Sequence, residues 1–201
     1  MGLREHGRSE EKVRASAMAK IKDHAYETVH WRLEKRSRDL LEYQEKHAGE
    51  GSAEELRTQF MDEVTPFEVL EWEGNLMMNT GINILLDLLV GGGGAVYSNA
   101  NAFLGVGNSA AAAAAAQTDL QGGSKAYVGM NGGFPVVGTT TVTFQSDFTG
   151  AIATWAWEEC ATFNGNAPPA AGSEMLNRKV QPLGTKAAGA TWTLSMAITI
   201  S

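Results

Sequence analysis

Apolar positions recur through the first part of the chain at Val13, Ala17, Ile21, Ala25, Val29, Leu33 and Leu40, mostly four apart. Charged residues fill the intervals, and no Gly or Pro interrupts Ser9 to His47. This spacing predicts a helix with one narrow apolar stripe. Ser9 is suited to cap it, with Glu10 and Glu11 in its first turn. So thin a stripe cannot stabilise a helix alone, so the helix must lie on its own β module, a copy of itself or another protein. Gly49-Glu-Gly-Ser52 breaks the pattern. Ser52 with Glu55 has the spacing of a capping box and opens a second short helix to about Val64, which Thr65-Pro66 ends.

The pattern then changes. Asn79–Val90 predicts a buried amphipathic helix with Ile82, Leu85, Leu86 and Leu89 on one face, and Gly91–Gly94 stops it as a flexible joint. Phe103–Val106 reads as a strand, and the alanine run Ala110–Ala116 as a short helix or a loop. Thr139–Phe148 alternates, with Val142 and Phe144 on one face. Ile152–Phe163 reads as a strand carrying Trp155 and Trp157 on the same face, and Asn164–Gly172 as a loop. At the end, Trp192, Leu194, Met196, Ile198 and Ile200 alternate with small, mostly polar residues, the signature of a strand with one buried face in an antiparallel sheet. Strands separated by Gly-rich turns predict a sandwich or small barrel, and the lack of strand–long-helix alternation disfavours α/β. The expected class is α+β: an N-terminal charged helical arm, residues 1–75, followed by a mainly antiparallel β-sandwich, residues 76–201.

Charge supports this division. Residues 1–75 hold 12 of the 16 Lys and Arg, 17 of the 23 Asp and Glu and all four His, whereas residues 76–201 hold 18 of the 23 Gly. The first part is split by sign, with residues 1–38 at net +4 and residues 39–75 at net −9. The overall charge of −7 argues against nucleic-acid binding by the whole surface. The 201 residues suffice for a core without disulfides or metals. Cys160, the only cysteine, excludes an intrachain disulfide and a cysteine zinc site. No run of about 18 apolar residues predicts a transmembrane helix. The charged opening Met-Gly-Leu-Arg-Glu-His has no apolar core of a secretory signal.

Motifs with chemical potential each have a plainer reading. Gly105-Val-Gly-Asn-Ser-Ala110 has the G-x-G-x-x-A form of a dinucleotide turn but lacks the second strand ending in an acidic residue, so a turn where only Gly fits is favoured. Ser9-x-x-Lys12 matches a Ser/Lys pair in spacing alone. Cys160 has no His nearby in sequence and reads as a buried, inert thiol. His24 and His30 are six apart, without metal-ligand spacing. Glu158 and Glu159 would point to opposite faces of a strand, and Glu54 and Glu55 read as a solvated helix face. Arg32, Lys35, Arg36 and Arg38 could touch phosphate, but a solvated face or one matched to an acidic protein surface is the stronger reading. No catalytic, cofactor or metal residues are assigned, and no enzymatic activity is expected.

Residues 75–201 carry a series of motifs: Asn75-Leu-Met-Met-Asn-Thr-Gly-Ile82 and Leu85-Leu-Asp-Leu-Leu89, then Tyr97-Ser-Asn-Ala-Asn-Ala-Phe-Leu-Gly-Val-Gly107 and Gln117-Thr-Asp-Leu-Gln121. Thr141-Val-Thr-Phe144 and Trp155-Ala-Trp-Glu-Glu159 follow, then Met175-Leu-Asn-Arg-Lys-Val180, Leu183-Gly-Thr-Lys186 and Thr191-Trp-Thr-Leu194. In this order they resemble a β-rich structural module of tailed-bacteriophage virion proteins. The resemblance implies a non-enzymatic component of the particle, assembled in the host bacterial cytoplasm. A capsid decoration or cement protein on the head surface comes first. A tail or fibre component, or a module binding a receptor or glycan, are the alternatives. The expected partners are the major capsid protein or other virion proteins and further copies of the chain, without nucleic acid, membrane or cofactor. The alanine run and residues 1–74 fall outside the resemblance. Trp31, Leu33, Leu40, Phe60, Phe67 and Trp72 are the expected apolar anchors of the arm, since aromatic anchors carry much interface energy. Packing onto the chain's own β module competes as an explanation for each.

Overall fold

The alternation at the end of the chain becomes strand β10 (Thr191–Ile200), whose Trp192, Leu194, Met196 and Ile198 are buried. β10 is the middle strand of one of two five-stranded sheets in a computed structural model that describes residues 27–200. Before it come β1 (Glu27–Arg36), helices α1 (Leu40–Lys46) and α2 (Ala53–Glu63), β2 (Glu68–Glu73), β3 (Leu76–Met77) and helix α3 (Asn79–Val90). The remaining strands are β4 (Phe103–Gly107), β5 (Lys125–Gly129), β6 (Val136–Val137), β7 (Thr141–Phe148), β8 (Ala156–Gly165) and β9 (Ser173–Thr185). The first sheet has the order β2-β1-β10-β7-β6 and the second β3-β9-β8-β4-β5, with antiparallel pairing throughout. The class is α+β, and the β part is a sandwich.

The sheets meet over one apolar core. Trp157 lies near its middle, edge-on to Phe148 at 4.9 Å and to Trp192 at 4.8 Å. Its indole nitrogen donates to the Ala153 carbonyl at 2.8 Å, so its one polar atom is satisfied. Trp155 packs against the same core from just before β8, which begins later than the strand expected from Ile152.

β1 corrects the helical reading of the N-terminal part. The helix expected from Ser9 to His47 is a strand over Glu27–Arg36 and resumes as helix only in α1. Ser9, Lys12, His24 and the stripe positions Val13, Ala17, Ile21 and Ala25 lie outside the described residues. A four-residue spacing fits a helical face and is also two strand periods, so Val29 and Leu33 satisfy both. Trp31 decides between them. Val29, Trp31 and Leu33 face the core, while His30, Arg32 and Glu34 between them are partly exposed. β1 lies between β10 and β2, with Trp31 opposite Met196 on one side and Trp72 on the other. The division expected at residue 75 therefore has two strands of the first sheet, β1 and β2, on its N-terminal side.

The helices cover what the strands leave open. Ser52 and Glu55 form the reciprocal capping box that starts α2. α1 and α2 close a small apolar cluster of Leu40, Tyr43, Phe60 and Val64. Arg57 of α2 ties this pair to the first sheet, with Nε donating to Asp147 at 2.6 Å and Nη2 to Gln145 at 2.7 Å. α3 packs against β9. Its Gly81 is there because a Cβ would come within 2.5 Å of the Leu176 backbone. Gly91, at φ +69°, ends the helix in the left-handed conformation that favours glycine.

Candidate interaction surface

The basic groups of β1 are used inside the fold. On β1, Glu34 accepts from Arg32 at 2.8 Å and from Arg36 at 2.7 Å, and Arg32 also reaches Glu71 on β2. Burial would raise the Glu34 carboxyl, but the hydrogen bonds from Arg32 and Arg36 outweigh it and hold it below the usual carboxylate range. Lys35 donates to Glu68 at 2.6 Å and sits 4.7 Å from the Trp192 ring centre. Three members of the basic cluster singled out in sequence are thus matched to carboxylates of their own sheet.

The alanine run is irregular backbone, the loop alternative. A fully buried ion pair holds it down: Arg178 Nε donates to Glu159 at 2.6 Å. The remaining Arg178 nitrogens donate to Gln117 and to the Ala111 carbonyl, and Glu159 also accepts from the backbone N–H groups of Gln121 and Gly122. This explains the G-x-G. A Cβ at Gly107 would overlap the Glu159 carboxylate, and one at Gly105 would come within 2.9 Å of the Phe163 ring. Asp119 binds Lys125 at 2.7 Å and the Tyr127 hydroxyl at 2.5 Å. Cys160 is buried, and burial pushes its thiol pKa well up, away from the reactive thiolate. Glu55 is committed to the capping box, and Glu158 is partly exposed while Glu159 is buried.

The expected anchors are dispersed. Trp31 and Leu33 are in the sandwich core, and Leu40 and Phe60 are in the α1–α2 cluster. Trp72 is partly buried, with its ring parallel to that of Trp31 at 6.2 Å. Only Phe67 is exposed, just ahead of edge strand β2. The structure thus brings Trp31 and Trp72 together, and Leu40 with Phe60, by packing within the chain.

A cleft of about 310 Å³ lies between Ser37, Arg38, Asp39, Glu42, Tyr43, Lys46 and Gly189. Asp39 is already engaged there, capping α1 and accepting from the Gly150 N–H at 3.0 Å. Next to it, Lys186 is buried and donates to the Gly150 carbonyl at 2.8 Å. Among the described residues no group of three or more His, Cys, Asp and Glu is placed to hold a metal ion, and no helix is long and apolar enough to cross a membrane.

Five of the exposed large apolar residues among those described lie on α3, and they correct the expected burial. Gly81 and Ile84 are buried and Leu88 is half-buried against the fold. The stripe expected to be buried faces outward: Ile82 is 41% exposed, Leu85 41%, Leu86 55%, Leu89 80% and Val90 78%. The helix is thus apolar on two faces, and Asp87 is its only charge. The sequence pattern predicts this stripe as the buried face, and the structure buries the side of Gly81 and Ile84 instead. The signal that the pattern missed was Gly81, whose absent side chain marks the side of closest approach. Comparison of the chain with protein-family models, with curated proteins and with solved structures gives no match.

Proposed function

We propose that the protein is a structural, non-enzymatic component of a tailed-phage virion, seated on the head as a capsid decoration or cement protein. The observation that carries the proposal is the division of surface chemistry. Ion pairs join β1 to β2, α2 to β7 and β9 to β8 within the fold, while an apolar helix face is left outside. Such a fold suits assembly, because exposed contiguous apolar surface marks interaction sites. The resemblance of residues 75–201 to virion β modules supplies the particle. Trp31, Leu33, Leu40 and Phe60 serve the chain's own packing, so the role of contacting the capsid passes to residues 1–26 and to Phe67.

The test is gold labelling of purified particles with an antibody raised against the folded chain, viewed by electron microscopy. Label spread over the head is the expected result. Label confined to the tail would replace the decoration role by a tail or fibre role. Unlabelled particles, with a control virion antibody binding normally, would overturn the virion reading.

A further inference from the structure

We infer that the outward face of α3 is the contact through which two copies of this chain associate, helix against helix, whatever the place of the protein on a particle. A helix apolar on two faces is most stable in water when both are covered. β9 covers one side of α3 through Gly81 and Ile84, and among the described residues the other is open. The open side has the spacing of a helix-packing seam: Ile82, Leu85, Leu86, Leu89 and Val90 stand at i, i+3, i+4, i+7 and i+8.

Area and symmetry point to a second copy. Allowing about 170–200 Å² for a free aliphatic residue, the exposed parts of these five residues come to roughly 550 Å², so two copies that covered them fully would bury roughly 1,100 Å², just above the roughly 1,000 Å² that a specific interface needs. The stripe is also nearly symmetric about its centre. When two such helices run antiparallel across a two-fold axis, Ile82 meets the partner's Leu89 and Leu85 meets the partner's Leu86. Ile82, Leu85, Leu86 and Leu89 then each find an apolar residue, as an interface using the same patch on both sides requires, and Val90 lies beyond the paired four at the end of the seam. Asn83 and Asp87 lie along one flank of the helix, outside the seam. In this arrangement Asp87 comes beside the partner's Asn83, at a solvated rim, and the seam holds no charge.

The test is the solution mass of the full chain at micromolar concentration, by light scattering or sedimentation, beside Leu86→Glu, Leu89→Glu and a control, Val137→Glu. Leu86, Leu89 and Val137 are all exposed in the single chain, so none of the three changes should unfold it, and circular dichroism checks this. The expected result is a dimer for the wild type and for Val137→Glu, and a monomer for both α3 variants. A monomeric wild type would overturn the inference, as would α3 variants that keep the wild-type mass. A full chain that is monomeric and associates only when residues 1–26 are removed would also overturn it, by giving the face to the chain's own N-terminal segment.

Discussion

Two buried groups show how single residues set the stability of this fold. Glu159 and Arg178 are fully buried, and between them they hold Gln121, Gly122, Gln117 and Ala111 of the loop that leads from β4 to β5. Taking two charges out of water opposes their attraction, so the pair adds little net stability, yet removing one partner strands the other. Arg178→Met should therefore cost about 3–5 kcal/mol in urea unfolding, and the double variant Glu159→Leu/Arg178→Met should cost less than that single change. A double variant worse than Arg178→Met would show that the pair is net stabilising. Lys186 makes a separate prediction. Burial lowers its ammonium pKa to about 8 from an ordinary 10.5. Between those values the unfolded chain binds more protons at this site than the folded one, so stability rises with pH across that window. Below about pH 8 the folded state carries the full burden of the buried charge. Unfolding free energies measured from pH 7 to 10.5 should climb in the wild type and climb less in Lys186→Met.

At the scale of elements, legibility followed how far a local pattern excluded its rivals. β10 was plain because strict alternation over ten residues fits no helix. α2 was plain because Ser52 and Glu55 satisfy each other's neighbouring backbone at one spacing only. β1 departs from the expected helix because Val29 and Leu33 fit two periods at once. The evidence against helix was Trp31 midway between them, which turns a four-residue interval into alternation. α3 was legible as a helix, but not in its orientation, because both of its faces are apolar. Gly81 chose the inner face by allowing the Leu176 backbone to approach. The buried pair Glu159–Arg178 could not be foreseen from residues nineteen apart on strands whose pairing was unknown. The dispersal of the expected anchors has the same origin. Once residues 27–36 are strand, Trp31 and Leu33 belong to the core, and the arm keeps few large apolar groups of its own.

At the scale of the whole molecule, the position of β1 separates what folds the chain from what would attach it to a particle. β1 is hydrogen-bonded on both edges, to β10 and to β2. Its Val29, Trp31 and Leu33 are buried, and each such side chain contributes about 1.5–3 kcal/mol. Their joint loss approaches the total stability of an ordinary domain, about 5–15 kcal/mol. Removing β1 also strands β2, whose only strand neighbour among the described residues it is, and a deletion that runs on through residue 48 takes Leu40 and Tyr43 from the α1–α2 cluster. Deleting residues 1–48 should therefore abolish cooperative thermal unfolding, while deleting residues 1–26 should leave a cooperative transition close to that of the full chain. The shorter deletion is then the informative one for function. If residues 1–26 make the contact with the capsid, particles assembled with the truncated chain should lose the gold label although the protein is folded and present in the lysate. Full labelling of those particles would assign attachment to the sandwich itself, with Phe67 as the residue to alter next.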